Sequence, residues 1–267
     1  MQNNIELLDL MLKDQQSKNG VYKPCPYWTK YCERTAHAIR KDGVETFRSN
    51  SRISKGYADT VVMDPFDLVS NDSLKKKVHK LIRDNPTVKK YFLGPYIKLS
   101  ESQYREAQMY RNLYFTNILG EWFDKFSKKH SLPDTLVGEP QDIVTINEQK
   151  IGLSYLSSYL RIYNYSKHID FSKIESVFEI GGGFGSFSHT LLHLYPNIRK
   201  LVYLDIPPIL YVGTQYLKYF YHNKVMDYTQ TSKLKTLTFE PNDKREIMAI
   251  CPWQIEKLDA KFDFFWN

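Results

Sequence analysis

Val177-Phe178-Glu179-Ile180-Gly181-Gly182-Gly183-Phe184-Gly185 is followed, after a gap, by Leu201-Val202-Tyr203-Leu204-Asp205. An apolar run that ends in an acid and then a glycine-rich turn reads as a buried parallel strand whose backbone bends sharply against something bulky. Phe187, Thr190, Leu191 and Leu194 come next at helical spacing. The unit is therefore strand, glycine turn, helix, strand. Its turn points backbone N–H groups and the positive end of a helix at a ligand, and the acid closing the second strand lies on the same carboxyl edge. An acid there is placed to take both hydroxyls of a ribose.

A dinucleotide fingerprint fits poorly, because its third glycine falls on Ser186. The pattern acid, apolar, Gly-x-Gly-x-Gly instead resembles motif I of the class I S-adenosylmethionine-dependent methyltransferases. The resemblance implies a Rossmann-like α/β sheet and places Glu179 near the methionine portion of the cofactor. It runs the turn of Gly181, Gly182, Gly183 and Gly185 beneath that portion, and sets Asp205, with Ile206 beside it, at the ribose. The bland alternative is a cluster of packing glycines in another α/β domain, which leaves the matched spacing of turn, helix and second acid unexplained.

A chain of 267 residues can bury a substantial core. The formal charge of +7 permits a polyanionic partner, but Lys89-Lys90 and Lys128-Lys129 read as solvated helix faces, leaving Lys75-Lys76-Lys77 as the basic run. Cys25, Cys32 and Cys251 lack CxxC spacing, which argues for a reducing compartment and against a disulfide scaffold or zinc site. Met1 to Gln16 carries Ile5, Leu8, Met11 and Leu12 among acids, a short amphipathic helix rather than a signal peptide. No run approaches the roughly twenty apolar residues that cross a bilayer, so a cytoplasmic location is expected.

Between these landmarks the sequence predicts mostly helix. One helix starts near Tyr27-Trp28, with Trp28, Tyr31, Cys32, Thr35, Ala36 and Ile39 along one side, and stops near Gly43. Helices are expected over 72–83, from Ser100 to Gly120 and over 121–129. The stripe of Tyr104, Tyr110 and Tyr114 reads as core with wet hydroxyl tips, or as the lining of a sugar site. Gly138-Glu139-Pro140 is turn chemistry, followed by a helix from about Asn147 to Tyr165. We expect a helical region over 1–145, serving as a substrate lid or for oligomerisation, and a cofactor-binding domain over 146–267.

Trp28, the helix after it, Gly43 and Phe47-Arg48 are together similar to the amino-terminal region of a bacterial group of sugar O-methyltransferases. Gly138-Glu139-Pro140 with the helix after it looks like the approach to motif I in that group. By itself Phe47-Arg48 reads equally as a buried Phe beside a surface Arg.

Beyond Asp205, Pro207-Pro208 suits a first helical turn, and a helix runs from Ile209 to about Tyr221. A third strand is expected over Glu246 to Ile250, then a short helix from Gln254 to Leu258. Many relatives place a polar residue at that strand end for the adenine; Cys251 and Pro252 stand there, leaving backbone atoms for the contact. A fourth strand falls in 262–267, where a full sheet of this class continues to seven. We therefore expect an incomplete sheet whose open edge exposes Phe262, Phe264, Phe265 and Trp266, covered by an oligomer or a partner chain.

The resemblance implies an O-methyltransferase with a small-molecule or nucleotide-linked sugar as acceptor, in bacterial glycan or glycoconjugate biosynthesis. Two alternatives remain open: a nucleic-acid or protein methyltransferase, with nucleic acid disfavoured by the lack of an aromatic-proline motif after the fourth strand, and a catalytically inactive binding module. A sugar hydroxyl needs a base or a divalent metal to remove its proton. In similar enzymes those groups follow the fourth strand, so metal ligands are not expected in this chain and no catalytic residue is assigned. His189 and His193 lie on the helix after the glycine turn, either approaching the cofactor or serving as structural histidines.

Overall fold

The structure, a computed structural model, describes residues 1–54, 127–128, 130, 132, 136–140, 143–146 and 148–267. The helices expected over 72–83 and 100–120, most of that over 121–129, the Lys75-Lys76-Lys77 run and the tyrosine stripe lie outside the described residues. The chain forms α1 (Ile5–Gln16), α2 (Pro26–Asp42), α3 (Ser51–Ser54), β1 (Ile143–Ile146), β2 (Gln149–Gly152) and α4 (Leu153–Tyr165). There follow β3 (Ser176–Ile180), α5 (Ser186–Leu194), β4 (Lys200–Leu204), α6 (Pro207–Tyr221), β5 (Val225–Met226), α7 (Tyr228–Thr231), β6 (Glu246–Ile250) and β7 (Phe264–Trp266).

Five strands pair in the order β5-β6-β4-β3-β7, all parallel. From β3 the chain moves outward to β4 and on to the edge strand β5, fills the place between them with β6, and then crosses back to place β7 on the other side of β3. That reversal makes the carboxyl edge around β3 a switch point, where open α/β sheets leave a crevice for ligands. Ile180 stands opposite Leu204, and Leu204 opposite Ile250, so the glycine turn, Asp205 and Cys251 all leave the sheet on this edge. The strand β5 was not expected; two residues are too few to show periodicity, and only pairing with β6 defines them.

Both faces of the sheet are covered. Phe178, Val202, Leu204, Met248 and Ile250 pack on one face against Leu237, Phe239 and Phe262. On the other face Val177, Leu201 and Tyr203 meet α5 and α6 in a core that also holds Leu7, Leu8 and Met11 of α1 and Ala36 and Ile39 of α2. The N-terminal helices therefore share one core with the sheet. Asn3 and Asn4 fasten α1 to α6: Tyr211 donates its hydroxyl to Asn3 Oδ1 at 2.7 Å and accepts from the Asn4 N–H at 2.7 Å.

Local expectations meet several corrections. Trp28 is 41% exposed and leaves the buried side of α2 to Tyr31, Cys32, Thr35, Ala36 and Ile39. Residues 149–152, expected as helix, are the second strand of an antiparallel hairpin that spans the proposed border at 145, with Glu148 at φ 67 in its turn. The short helix after β6 is a 3₁₀ segment, Pro252–Lys257. β7 lies at the sheet edge, pairing with β3 alone among the described residues, but its aromatics are mostly packed. Trp266 stacks on Phe187 at 4.6 Å, Phe264 meets Phe171 edge-on at 5.4 Å, Phe262 lies beside Phe178 at 5.3 Å, and only Phe265 reaches 56% exposure. Asp263 sets the register, accepting from the Glu175 N–H at 2.9 Å, the Ser176 N–H at 3.0 Å and the Ser176 hydroxyl at 2.9 Å.

Candidate functional site

The glycine turn is built as the spacing requires. Gly181, Gly183 and Gly185 stand at φ 71, 62 and 91, where a side chain would strain the backbone. Gly182 is needed for space instead: a Cβ there would run into the Tyr203 ring and come within 2.8 Å of the Glu179 carboxyl carbon. Tyr203 fills the volume beneath the turn and donates its hydroxyl to the Gly183 carbonyl. Its other neighbour is Gly213, where a Cβ would strike the same hydroxyl. A glycine inside a helix costs about 1 kcal/mol relative to alanine, so Gly213 in mid-α6 was a legible sign of a close approach that sequence reasoning passed over.

Above Gly181 the described residues leave room. Gly181 is exposed, and a Cβ on it would meet only Asn267 Oδ1, at 3.7 Å, among the described residues. The turn ends at Gly185, the N-cap of α5, whose first-turn N–H groups are not used within the helix.

Asp205 and Glu179 come to the same end of the sheet but play different parts. Asp205 Oδ2 accepts the Gly183 N–H at 3.0 Å and Oδ1 accepts the Ile206 N–H at 2.7 Å. Each oxygen keeps a second acceptor position, which is what two vicinal hydroxyls require. Burial pushes the Asp205 carboxyl up to about 7, although both N–H bonds pull it down. Glu179 is enclosed under the turn and accepts a hydrogen bond from the Ser188 hydroxyl of α5. Burial raises it to about 7, eased by Ser188 and reinforced by the charge of Asp205. Two carboxyls this reluctant to ionise favour a cationic ligand beside them, since its charge would stabilise both anions.

The N-terminal helices wall this corner. Burial lifts the Tyr31 phenol and the Cys32 thiol of α2 to about 12, and the Asp205 charge adds to each. Tyr228 donates to Asp14 of α1 at 2.7 Å and accepts from Trp253 Nε1 at 2.9 Å, which holds α1 against the end of β6. At that strand end the polar side chain is Gln254, buried, with Oε1 accepting the Cys251 N–H at 2.8 Å; its Nε2 has no hydrogen-bond partner among the described residues.

Behind the turn the structure joins residues that were separate in the sequence. Arg48 is 4% exposed, which corrects the reading of a surface arginine. It donates to the Val137 carbonyl at 3.2 Å and the Ser154 hydroxyl at 3.1 Å, and its backbone N–H donates to the Gly138 carbonyl at 2.9 Å. Phe47 packs on Phe184 of the turn at 5.2 Å and leaves no space for a Cβ at Gly138. His189 is a structural histidine. Its Nδ1 lies 2.5 Å from the Tyr155 hydroxyl, its ring stacks on Phe220 at 3.8 Å, and burial, with His193 adding, lowers it to about 3. A ring so enclosed is a poor base for a substrate proton. Among the described residues no group of three or more His, Cys, Asp or Glu could hold a metal ion, and no helix is long and apolar enough to cross a membrane.

Residues 153–233 match the sequence model of an O-methyltransferase domain. The matched stretch runs from α4 through the glycine turn, Asp205 and α6 to α7. No curated protein and no solved structure matches the chain. The domain makes the protein a methyltransferase whose methyl donor is S-adenosylmethionine.

Proposed function

We propose that the chain is an O-methyltransferase acting on a sugar hydroxyl, free or nucleotide-linked, in glycan or glycoconjugate assembly. The observation that carries the cofactor site is the bond from the Gly183 N–H to Asp205, which joins turn and acid at one switch point. In this reading Asp205 takes both ribose hydroxyls on its two open acceptor positions. Gly181 to Gly185 pass beneath the methionine portion, with Ile206 beside the nucleoside. Glu179, enclosed and tied to Ser188, supports the turn from below. When bound, the donor supplies a methyl group on a sulfonium, open to in-line displacement by the acceptor oxygen. The protein's part is to hold the two partners aligned and keep water out. The sugar rests on the likeness of Trp28, Phe47-Arg48 and Gly138-Glu139-Pro140 to the bacterial group, and the clustering of Phe47, Arg48 and Gly138 behind the turn supports it.

Calorimetric titration of S-adenosylmethionine into the wild type and Gly183→Val tests the site. A branched side chain at φ 62 is incompatible with the turn, so binding heat should vanish in the variant; retained heat refutes the site. Methyl transfer to nucleotide-linked sugars compared with RNA and protein tests the acceptor class, and transfer confined to RNA or protein rejects a sugar.

A further inference from the structure

We propose that Arg48 is a positioning residue for the glycine turn: it holds the Phe184 ring, fixes the backbone of Gly183 to Gly185 through that ring, and so sets affinity for the methyl donor without touching it. The inference rests on the turn being the donor site. Among residues 181–185 only Phe184 has a side chain, so that ring is the turn's one side-chain anchor, beside the backbone bonds that Gly181 makes to Leu204 and Gly183 makes to Asp205 and Tyr203. A peptide of glycines left to itself samples many conformations. Phe184 is 2% exposed and sits among Phe47 at 5.2 Å, Tyr216 at 5.1 Å and Tyr155 at 6.5 Å.

The Arg48 guanidinium carbon lies 5.0 Å from the Phe184 centroid and 5.8 Å from that of Tyr155, while its edges bond Val137 and Ser154. A planar cation that stacks on rings and donates from its edges ties the turn to α4 and to the 136–140 segment at once. Burying such a charge is costly unless its hydrogen bonds are met, and an ammonium offers neither the flat face nor the fork of donors.

Arg48→Lys keeps the charge and much of the stem, and is the central test. At temperatures well below unfolding, the variant should bind S-adenosylmethionine about tenfold more weakly, and the amides of Gly183 to Ser186 should exchange hydrogen faster. Phe184→Leu should do the same, and Arg48→Lys/Phe184→Leu should be no weaker than Phe184→Leu alone, because the ring transmits the effect. A merely structural arginine would lower the melting temperature and leave affinity and turn exchange of the folded protein at wild-type values, which would overturn the proposal. Multiplying effects in the double variant would overturn it too. If Arg48→Lys fails to fold, Ser154→Ala, which removes one acceptor of the guanidinium, is read in the same way: unchanged turn exchange overturns it. Absence of binding heat in the wild type would instead refute the donor site, and the exchange measurements would still decide the role of Arg48.

Discussion

Glu179→Gln should change how stability depends on pH, and the size follows from the burial of the carboxyl. The group rises from an ordinary 4.5 to about 7 in the folded protein. Each pH unit of such a difference is worth ~1.4 kcal/mol, so the whole displacement amounts to ~3 kcal/mol. The sign follows from proton counting. Between these two values the folded state binds the proton and the unfolded state does not, so folding is favoured at low pH. The contribution is fully present below pH 4.5, is lost as pH rises towards 7, and stays absent above it. Glutamine cannot ionise, and its amide oxygen can still accept from Ser188, so the variant should lack this slope. Urea unfolding of the ligand-free protein at pH 5, 6, 7 and 8 measures it: wild type should lose ~2–3 kcal/mol relative to the variant across the series. Coincident slopes would show that Glu179 ionises freely, and the enclosed carboxyl under the turn would be refuted.

Gly182→Ala forces a methyl group into the Tyr203 ring and the Glu179 carboxyl; it should destabilise by ~1–3 kcal/mol, visible as a lower urea midpoint with unchanged slope. Asp205 is raised to about 7 by burial, so binding the cationic donor near pH 6 should release protons, seen as heats that vary with the buffer's ionisation enthalpy; Asp205→Ala should weaken binding at least tenfold, and equal affinity would remove the acid from the site. Asp263→Ala removes three acceptor contacts between β7 and β3. Hydrogen exchange should accelerate at Phe264 to Trp266, while the amides of β4 stay protected. Because the backbone N–H bonds of Glu175 and Ser176 hold the Asp263 carboxyl below its usual range, the β7 amides should also lose protection in wild type as pH falls through that lowered value.

The sequence alone determined those features whose cause is local. Positive φ at Gly181, Gly183 and Gly185 admits little but glycine, a proline pair suits the start of α6, and an apolar run ending in an acid marks a parallel strand. The turn, Asp205, both central strands and the bounds of β6 were legible for that reason. The tertiary structure decided the rest. That α1 and α2 share a core with the sheet, that Arg48 is buried behind the turn, that His189 is consumed by Tyr155, and that β5 and the hairpin exist at all depend on residues far apart in the chain. The apolar faces of α1 and α2 show in the sequence but not what they pack against, and the other contacts carry no periodic or conformational signature at all. The cost of a buried charge or an unpaired strand is set by the partner, and only folding brings the partner into place.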